Sequence, residues 1–247
     1  MYSDDSNSNV DFVIDQFEIF DRDQCQQLTS IVFECSQFWI KRARAVDFYT
    51  LGAAYYLDLE NRDSTDQYVD AARKWNPILW DYFELFYQHL INRLVQRFDC
   101  DFRFHPNVAL PGFHVFGPRP HQSASLFNKI FFQDGGTIHQ HPTPREFAEI
   151  LEIPQQRLPE HLYSHTIPIH LPPEGAGLDI WPAGLVSTDR PPTYVPYQKG
   201  LAYGFQGELV HRIAPYRPGA DSLAQNAHRI TFQCHDLDLG DYRVLFF

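Results

Sequence analysis

Eighteen prolines punctuate the 247-residue chain, and all but Pro77 lie after residue 105. Proline fixes φ and removes a backbone donor, so a segment carrying one every few residues cannot sustain a long helix. The chain therefore divides in two. Helices fit before about residue 100, and short extended runs between turns fit after it. In the first part Cys25, Leu28, Ile31, Val32, Cys35, Phe38 and Trp39 recur at helical spacing, with Asp21 placed to cap a helix opening at about Asp23. A second helix is expected from Asn76-Pro77, with Asn as cap and Pro at the first helical position, through to about Phe98. Glu60 to Asp66 reads as the loop between them. In the second part the β-like runs are Gly112–Phe116, Leu126–Phe132, Thr137–His141, Thr166–Leu171, Leu178–Trp181, Leu201–Phe205, Glu208–Ile213, Arg229–His235 and Tyr242–Phe247. Many short strands with turn signals between them predict a sandwich or barrel. The expected class is α+β, with the helices buttressing one face of the β unit. The expected layout is a loose tail over 1–10 and one domain over 11–247, divided into a helical part (11–99) and a β core (100–247).

Composition narrows what such a chain can do. A hydrophobic content of 44% is too high for disorder, and 31 acidic against 20 basic residues argue against a nucleic-acid partner. No apolar run is long enough to span a membrane, and the polar start MYSDDSNSNV does not read as a signal peptide. Cys25, Cys35, Cys100 and Cys234 form no CxxC pair and read as free thiols, which points to the cytoplasm. The Gly175–Gly177 stretch lacks the Lys-Ser/Thr of a phosphate loop, and no serine or cysteine sits in a nucleophile motif.

Twelve histidines are more telling. Gln133-Asp134-Gly135-Gly136 carries a hairpin signal that would pair Leu126–Phe132 with Thr137–His141. On an extended run His139 and His141 point to the same face, where two imidazoles can share one cation. A third histidine, His211, lies on the run Glu208–Ile213, and Arg229 opens the following strand, where a guanidinium can grip a carboxylate.

In that order the parts resemble iron- and 2-oxoglutarate-dependent oxygenases. The segments FYTLGAAYYLDL (48–59), NPIL (76–79), LPGFHVF (110–116), IHQH (138–141), IPIHLPPEGAGLDIW (167–181), YVPYQKG with LVHRIAPY (194–216) and HRITFQCH (228–235) resemble a bacterial family of 2-oxoglutarate/Fe(II) dioxygenases in the prolyl-hydroxylase-like group. The resemblance spans about three quarters of the chain. It implies a double-stranded β-helix (jelly-roll) core, and Fe(II), 2-oxoglutarate and O₂ as cofactor and cosubstrates. It implies His139 and His211 as iron ligands, Arg229 as the partner of the far 2-oxoglutarate carboxylate, and Thr231 facing the same way. A small-molecule or peptide-linked substrate is expected; its identity and the oligomeric state are not legible.

Position 141 departs from the family, which keeps a carboxylate there. Three readings stand open. His141 completes a three-histidine site; Asp134 or Asp179 supplies the acid instead; or the register is shifted, so that Ser123–Lys129 occupies the metal strand and Phe127 and Lys129 leave the site dead. A neutral third ligand keeps three facial donors and raises the net charge by one. Histidine fills the space that a halide would need, which disfavours halogenation. The matching functions are a 2-oxoglutarate oxygenase, a three-histidine Fe(II) dioxygenase with Arg229 on the substrate's own carboxylate, and a silent β-helix binding protein. His114 reads as structural and His170 as a core, surface or pocket residue. His121, His161, His165, His228 and His235 read as loop or strand-end residues.

Overall fold

The computed structural model describes residues 14–59, 65–123, 135–172, 176–181, 191–215 and 228–247. The expected tail over 1–10, the run Leu126–Phe132 and Asp134 lie outside these. In chain order the elements are β1 (Asp15–Glu18), α1 (Arg22–Glu34) ending in a 3₁₀ turn, β2 (Ile40–Lys41), β3 (Phe48–Leu51), α2 (Tyr55–Asp58), α3 (Thr65–Phe98), β4 (Phe102–Phe104), β5 (Gly112–Phe116), α4 (Phe147–Ile150), β6 (Tyr163–His170), β7 (Gly177–Trp181), β8 (Thr193–Pro196), β9 (Leu201–Gln206), β10 (Val210–Ile213), β11 (Arg229–Asp238) and β12 (Arg243–Phe246). No helix among the described residues is long and apolar enough to cross a membrane.

The chain is a mixed α/β protein whose sheets are mostly antiparallel. Among the described residues one sheet has nine strands, running β1-β9-β6-β11-β5-β3-β2, with β12 and β4 joined beyond β11. The pairing of β12 with β4 is parallel. A smaller sheet has the order β10-β7-β8.

Asp21 caps α1 through a capping box, its side chain accepting from Gln24 N at 2.8 Å while Gln24 reaches back to Asp21 N. The second helix differs from expectation. It opens at Thr65, so Pro77 sits in its interior. The first turns form because Tyr68 and Ala72 are fully buried, and that packing outweighs the one backbone bond Pro77 removes. Asn76 is no cap. Its side chain donates to Val108 O and accepts from Leu110 N, both at 2.9 Å, pinning the loop that leads into β5.

The first third is also less helical than its pattern implies. β1 pairs with β9, and β3 pairs with β5, so N-terminal residues extend the large sheet on both sides. These strands are four residues long, and their partners are remote in sequence, so periodicity carries no sign of them.

Strand alternation gives the large sheet two jobs. Phe113, Val115, Ile167, Ile169, Ile230, Phe232 and Cys234 point to one face and bury against Leu28 and Val32 of α1 and Leu79, Phe83, Tyr87 and Leu90 of α3. Each such side chain contributes roughly 1.5–3 kcal/mol by leaving water. The alternate residues His114, Phe116, Thr166, Arg229 and Gln233 line a cavity on the opposite face. The small sheet covers that side, with Leu178 and Ile180 packed against Tyr203 and Phe205 of β9.

Candidate functional site

The cavity between the sheets encloses about 350 Å³. Three histidines converge on it. The Gly135–His141 segment runs antiparallel to β10, with Gly136 N donating to Ile213 O at 2.9 Å and His139 and His211 exchanging backbone bonds of 3.0 and 3.1 Å. Gly135 holds a φ of +78° at the start of this run, as the turn requires. His141 N then donates to Gly207 O at 2.7 Å. Gly207 must be glycine, because a Cβ there would stand 2.2 Å from His141 O.

The ring nitrogens are oriented by the chain itself. His139 Nδ1 bonds Thr137 O and His211 Nδ1 bonds Leu209 O, each at 2.8 Å and each two residues back. Both rings thus carry the proton on Nδ1 and present an unprotonated Nε2. His141 Nδ1 lies 2.9 Å from the Tyr55 hydroxyl, and its buried Nε2 has no hydrogen-bond partner among the described residues. One donor nitrogen from each of the three lies within 4.8 Å of the others. His141 and His211 are buried and His139 is exposed. Desolvation by the surrounding protein pushes the pKa of all three imidazoles down, that of His211 to about 3, so they stand neutral and ready for a cation. A metal about 2.1 Å from each nitrogen needs neighbouring donors roughly 3 Å apart. Loading therefore draws the rings inward, with exposed His139 the least constrained. The donor set and the orphaned His141 nitrogen fit a first-row metal.

Arg229 lines the same cavity and is 7% exposed. Its guanidinium lies 5.1 Å from the Tyr197 ring and 5.4 Å from the Phe116 ring, and its Nε is buried without a partner. No carboxylate among the described residues pairs with it. Burial pushes the guanidinium down from its usual value, with the adjoining Tyr197 hydroxyl opposing the shift. A buried cation left this bare is costly unless an anion completes it. The Tyr197 hydroxyl lies beside it, and the Thr166 hydroxyl lies beside that of Tyr197. Thr231 is on the same face of β11 but is buried beneath the wall and does not line the cavity.

Asp179 is committed elsewhere. It pairs with Arg212 at 2.8 Å across β7 and β10, opposite Arg212 in the register that sets Ile180 against His211. Alternation aims it away from the cavity. Asp134 and most of Ser123–Lys129 fall outside the described residues.

Other histidines separate into two groups. His114 lines the cavity, contrary to the structural reading, with Nε2 in contact with the Tyr56 hydroxyl. Burial lowers it to about 3. His235 is fully buried, bonded to Ser164 Oγ through Nδ1, with its ring 4.7 Å from that of His141. His165 pairs with Asp236 at 2.8 Å, and His228 bonds Pro118 O. His170 is half-buried against Phe33 and does not line the cavity. Phe48, Tyr55, Tyr56, Leu57, Tyr197 and Gln233, at or beside the cavity, fall within segments that carry the resemblance, but no spacing marks them as site residues, and only the fold brings them together. A signal for Tyr55 and Tyr56 would have been two adjacent aromatic residues on a one-turn helix too short to need both in a core.

No family model matches the chain, and no curated protein matches it. Among solved structures it is similar to a Pseudomonas putida prolyl-4-hydroxylase, at 10% identity and a TM-score of 0.39 over 90% of this chain and 91% of that one. It is also similar to the non-heme alpha ketoglutarate dependent carbocyclase SnoK from nogalamycin biosynthesis, at 9% identity and a TM-score of 0.44 over 92% and 79%. A third is EvdO2 from Micromonospora carbonacea var. aurantiaca complexed with 2-oxoglutarate, at 13% identity and a TM-score of 0.43 over 90% and 84%.

Proposed function

We propose that the chain is a non-haem Fe(II)/2-oxoglutarate-dependent oxygenase on a double-stranded β-helix core, acting on a small-molecule or peptide-linked substrate. One observation carries the reading. A buried arginine that pairs with no carboxylate among the described residues shares one cavity with three imidazoles whose donor nitrogens lie within 4.8 Å of one another. That pairing of a cation site with an anion site suits a ligand that is a metal chelate at one end and a carboxylate at the other.

His139, His141 and His211 would hold Fe(II), leaving further positions open. When bound, Fe(II) with 2-oxoglutarate and O₂ supplies oxidising power toward a C–H bond as 2-oxoglutarate becomes succinate and CO₂. The chain's own residues position and protect. Arg229 would take the distal carboxylate in a charge-assisted pair, with the Tyr197 hydroxyl beside it. Leu178, Phe116 and Ile213 exclude water. Burial pushes the Cys25 and Cys35 thiols up to about 11 and about 12, which keeps them unreactive and suits the reducing cytoplasm we propose as its setting.

A neutral third ligand favours one other reading, a three-histidine Fe(II) dioxygenase in which Arg229 grips the substrate itself. Anaerobic Fe(II) titration with and without 2-oxoglutarate, followed by a succinate assay in air, separates the two. A charge-transfer band that needs both ligands supports the oxygenase. Iron binding indifferent to 2-oxoglutarate supports the second reading. No iron binding removes both and leaves a binding protein.

A further inference from the structure

The cavity has a depth gradient. Arg229, His141 and His211 are buried at its floor, whereas Phe48, Tyr56 and Leu57 are half-buried and Thr137 and Gln140 exposed. The half-buried side chains share the cavity wall with the buried ligands His141 and His211 and with exposed His139, so a substrate that reaches the metal through this cavity would meet them. Among the described lining residues Arg229 is the only charge. We propose that Phe48, Tyr56 and Leu57 form the substrate subsite, and that it selects an uncharged, apolar, ring-sized group. The proposal rests on the oxygenase reading, in which 2-oxoglutarate consumes the one cation of the wall.

The wall is built flat and held rigid. Phe48 stacks on Phe116 with ring centroids 4.6 Å apart and planes 6° from parallel, and meets His114 edge-on at 5.4 Å. Aromatic faces of this kind attract rings in offset or edge-to-face contact. Tyr56 and Leu57 lie on α2, a single helical turn that could not hold its place by propensity alone. Three tethers fix it. Arg42 grips Asp58 with two bonds of 2.8 and 2.6 Å, Asp58 accepts from Ala54 N at 2.9 Å, and Tyr55 N donates to Phe247 O at 2.8 Å. Tyr56 and Leu57 pack on the core beneath α2 and also line the cavity, so the pinned turn presents an aromatic and an aliphatic side chain to whatever enters. A charged group placed there would lose its hydration and find no counter-charge. The neutral Tyr56–His114 pair and the amides of Gln140 and Gln233 leave room for one hydrogen-bonding group on the ring.

The test uses the full chain loaded with Mn(II) and saturating 2-oxoglutarate. Benzyl alcohol, benzoate and benzylammonium are titrated by ligand-observed NMR, with Mn(II) broadening of the ring protons reporting closeness to the metal. Benzyl alcohol is expected to bind at least about tenfold more tightly than either ion. Leu57→Ala and Phe48→Leu should each weaken it roughly fivefold while Mn(II) and 2-oxoglutarate affinities stay within about twofold. Equal or tighter binding of an ion, no binding by any probe, or indifference to both variants overturns the proposal. Failure of Mn(II) or 2-oxoglutarate to bind instead overturns the oxygenase reading. In that case the order of benzyl alcohol against benzylammonium, and its response to Leu57→Ala on the metal-free chain, still decides the subsite.

Discussion

The Tyr55 hydroxyl lies 2.9 Å from Nδ1 of His141, and both side chains are buried. If Nε2 of His141 faces the metal, its proton resides on Nδ1 and is donated to the tyrosine oxygen. The contact then does for His141 what backbone carbonyls do for His139 and His211: it fixes the tautomer and the ring plane. Tyr55→Phe keeps the packing against Phe147 and Phe246 and removes that partner. Metal affinity, read by Co(II) absorption, should fall roughly 10–100-fold with the far-UV spectrum unchanged. An unchanged affinity would show that His141 is not held for a metal.

Position 141 can be tested directly. His141→Ala removes one donor of three, and binding of Co(II) should weaken by at least about 100-fold. His141→Asp substitutes the acid that the resembled family uses, beside a hydroxyl that can donate to it. That variant should bind within about tenfold of the parent. Equal binding by parent, Ala and Asp chains would mean that the metal is held elsewhere.

Arg42 and Asp58 form a buried pair, 10% and 4% exposed. Removing one member strands the other charge, at a cost of about 3–5 kcal/mol. Asp58→Ala also frees Ala54 N. For a chain of this size the melting temperature should drop by roughly 6–20 °C. The double variant Arg42→Met/Asp58→Leu should recover a good part of that loss in the same scan. If the single variant melts with the parent, the pair does not anchor α2.

These contacts mark where the sequence was legible. The capping box at Asp21 is local, so four residues sufficed to read it. His139 and His141 were legible because an extended backbone sets every second side chain on one face, and Arg229 because it opens an apolar strand. Pro77 misled because Asn-Pro is a genuine start signal. Here Asn76 spends its side chain on residues 108 and 110, which only the tertiary fold brings near. β1 and β3 are invisible for a similar reason, since four residues carry almost no period and their pairing partners Gly204 and Phe113 are far away in the chain. Tyr56 and Leu57 reach the cavity because Asp58 and the backbone of Tyr55 tether their turn to Arg42 and Phe247, and no spacing encodes that.

Acid should act on His114. Burial, with Arg229 and Arg42 adding to it, pushes this imidazole down to about 3. Below about pH 6.5 the unfolded chain takes up a proton that the folded chain refuses until about pH 3. Stability therefore falls as pH drops across that window, by up to about 1.4 kcal/mol per pH unit for one such group. Buried His235 is also pushed well down and adds a loss of the same sign. Urea melts of the metal-free chain at pH 7.5, 6.5, 5.5 and 4.5 should show the decline beginning near 6.5. His114→Gln should flatten the slope by about 1 kcal/mol per pH unit; an identical slope would mean that His114 titrates normally in the fold.

Arg229 should show opposite effects on stability and on binding. Without a ligand it is a buried cation whose Nε has no partner among the described residues and whose neighbours there are aromatic rings and the Tyr197 hydroxyl. Arg229→Met keeps much of the volume and removes the desolvated charge, a change that is often neutral or stabilising by about 1–4 kcal/mol. The metal-free variant should melt at or above the parent. The same change removes the partner of the distal carboxylate, so 2-oxoglutarate binding to the Mn(II)-loaded chain should weaken by at least about 100-fold while Mn(II) binding is unchanged. A variant that melts far lower and still binds 2-oxoglutarate would show Arg229 to be a structural residue. The expected pairing, stability kept and anion binding lost, is the signature of a charge held at a cost for the ligand it meets.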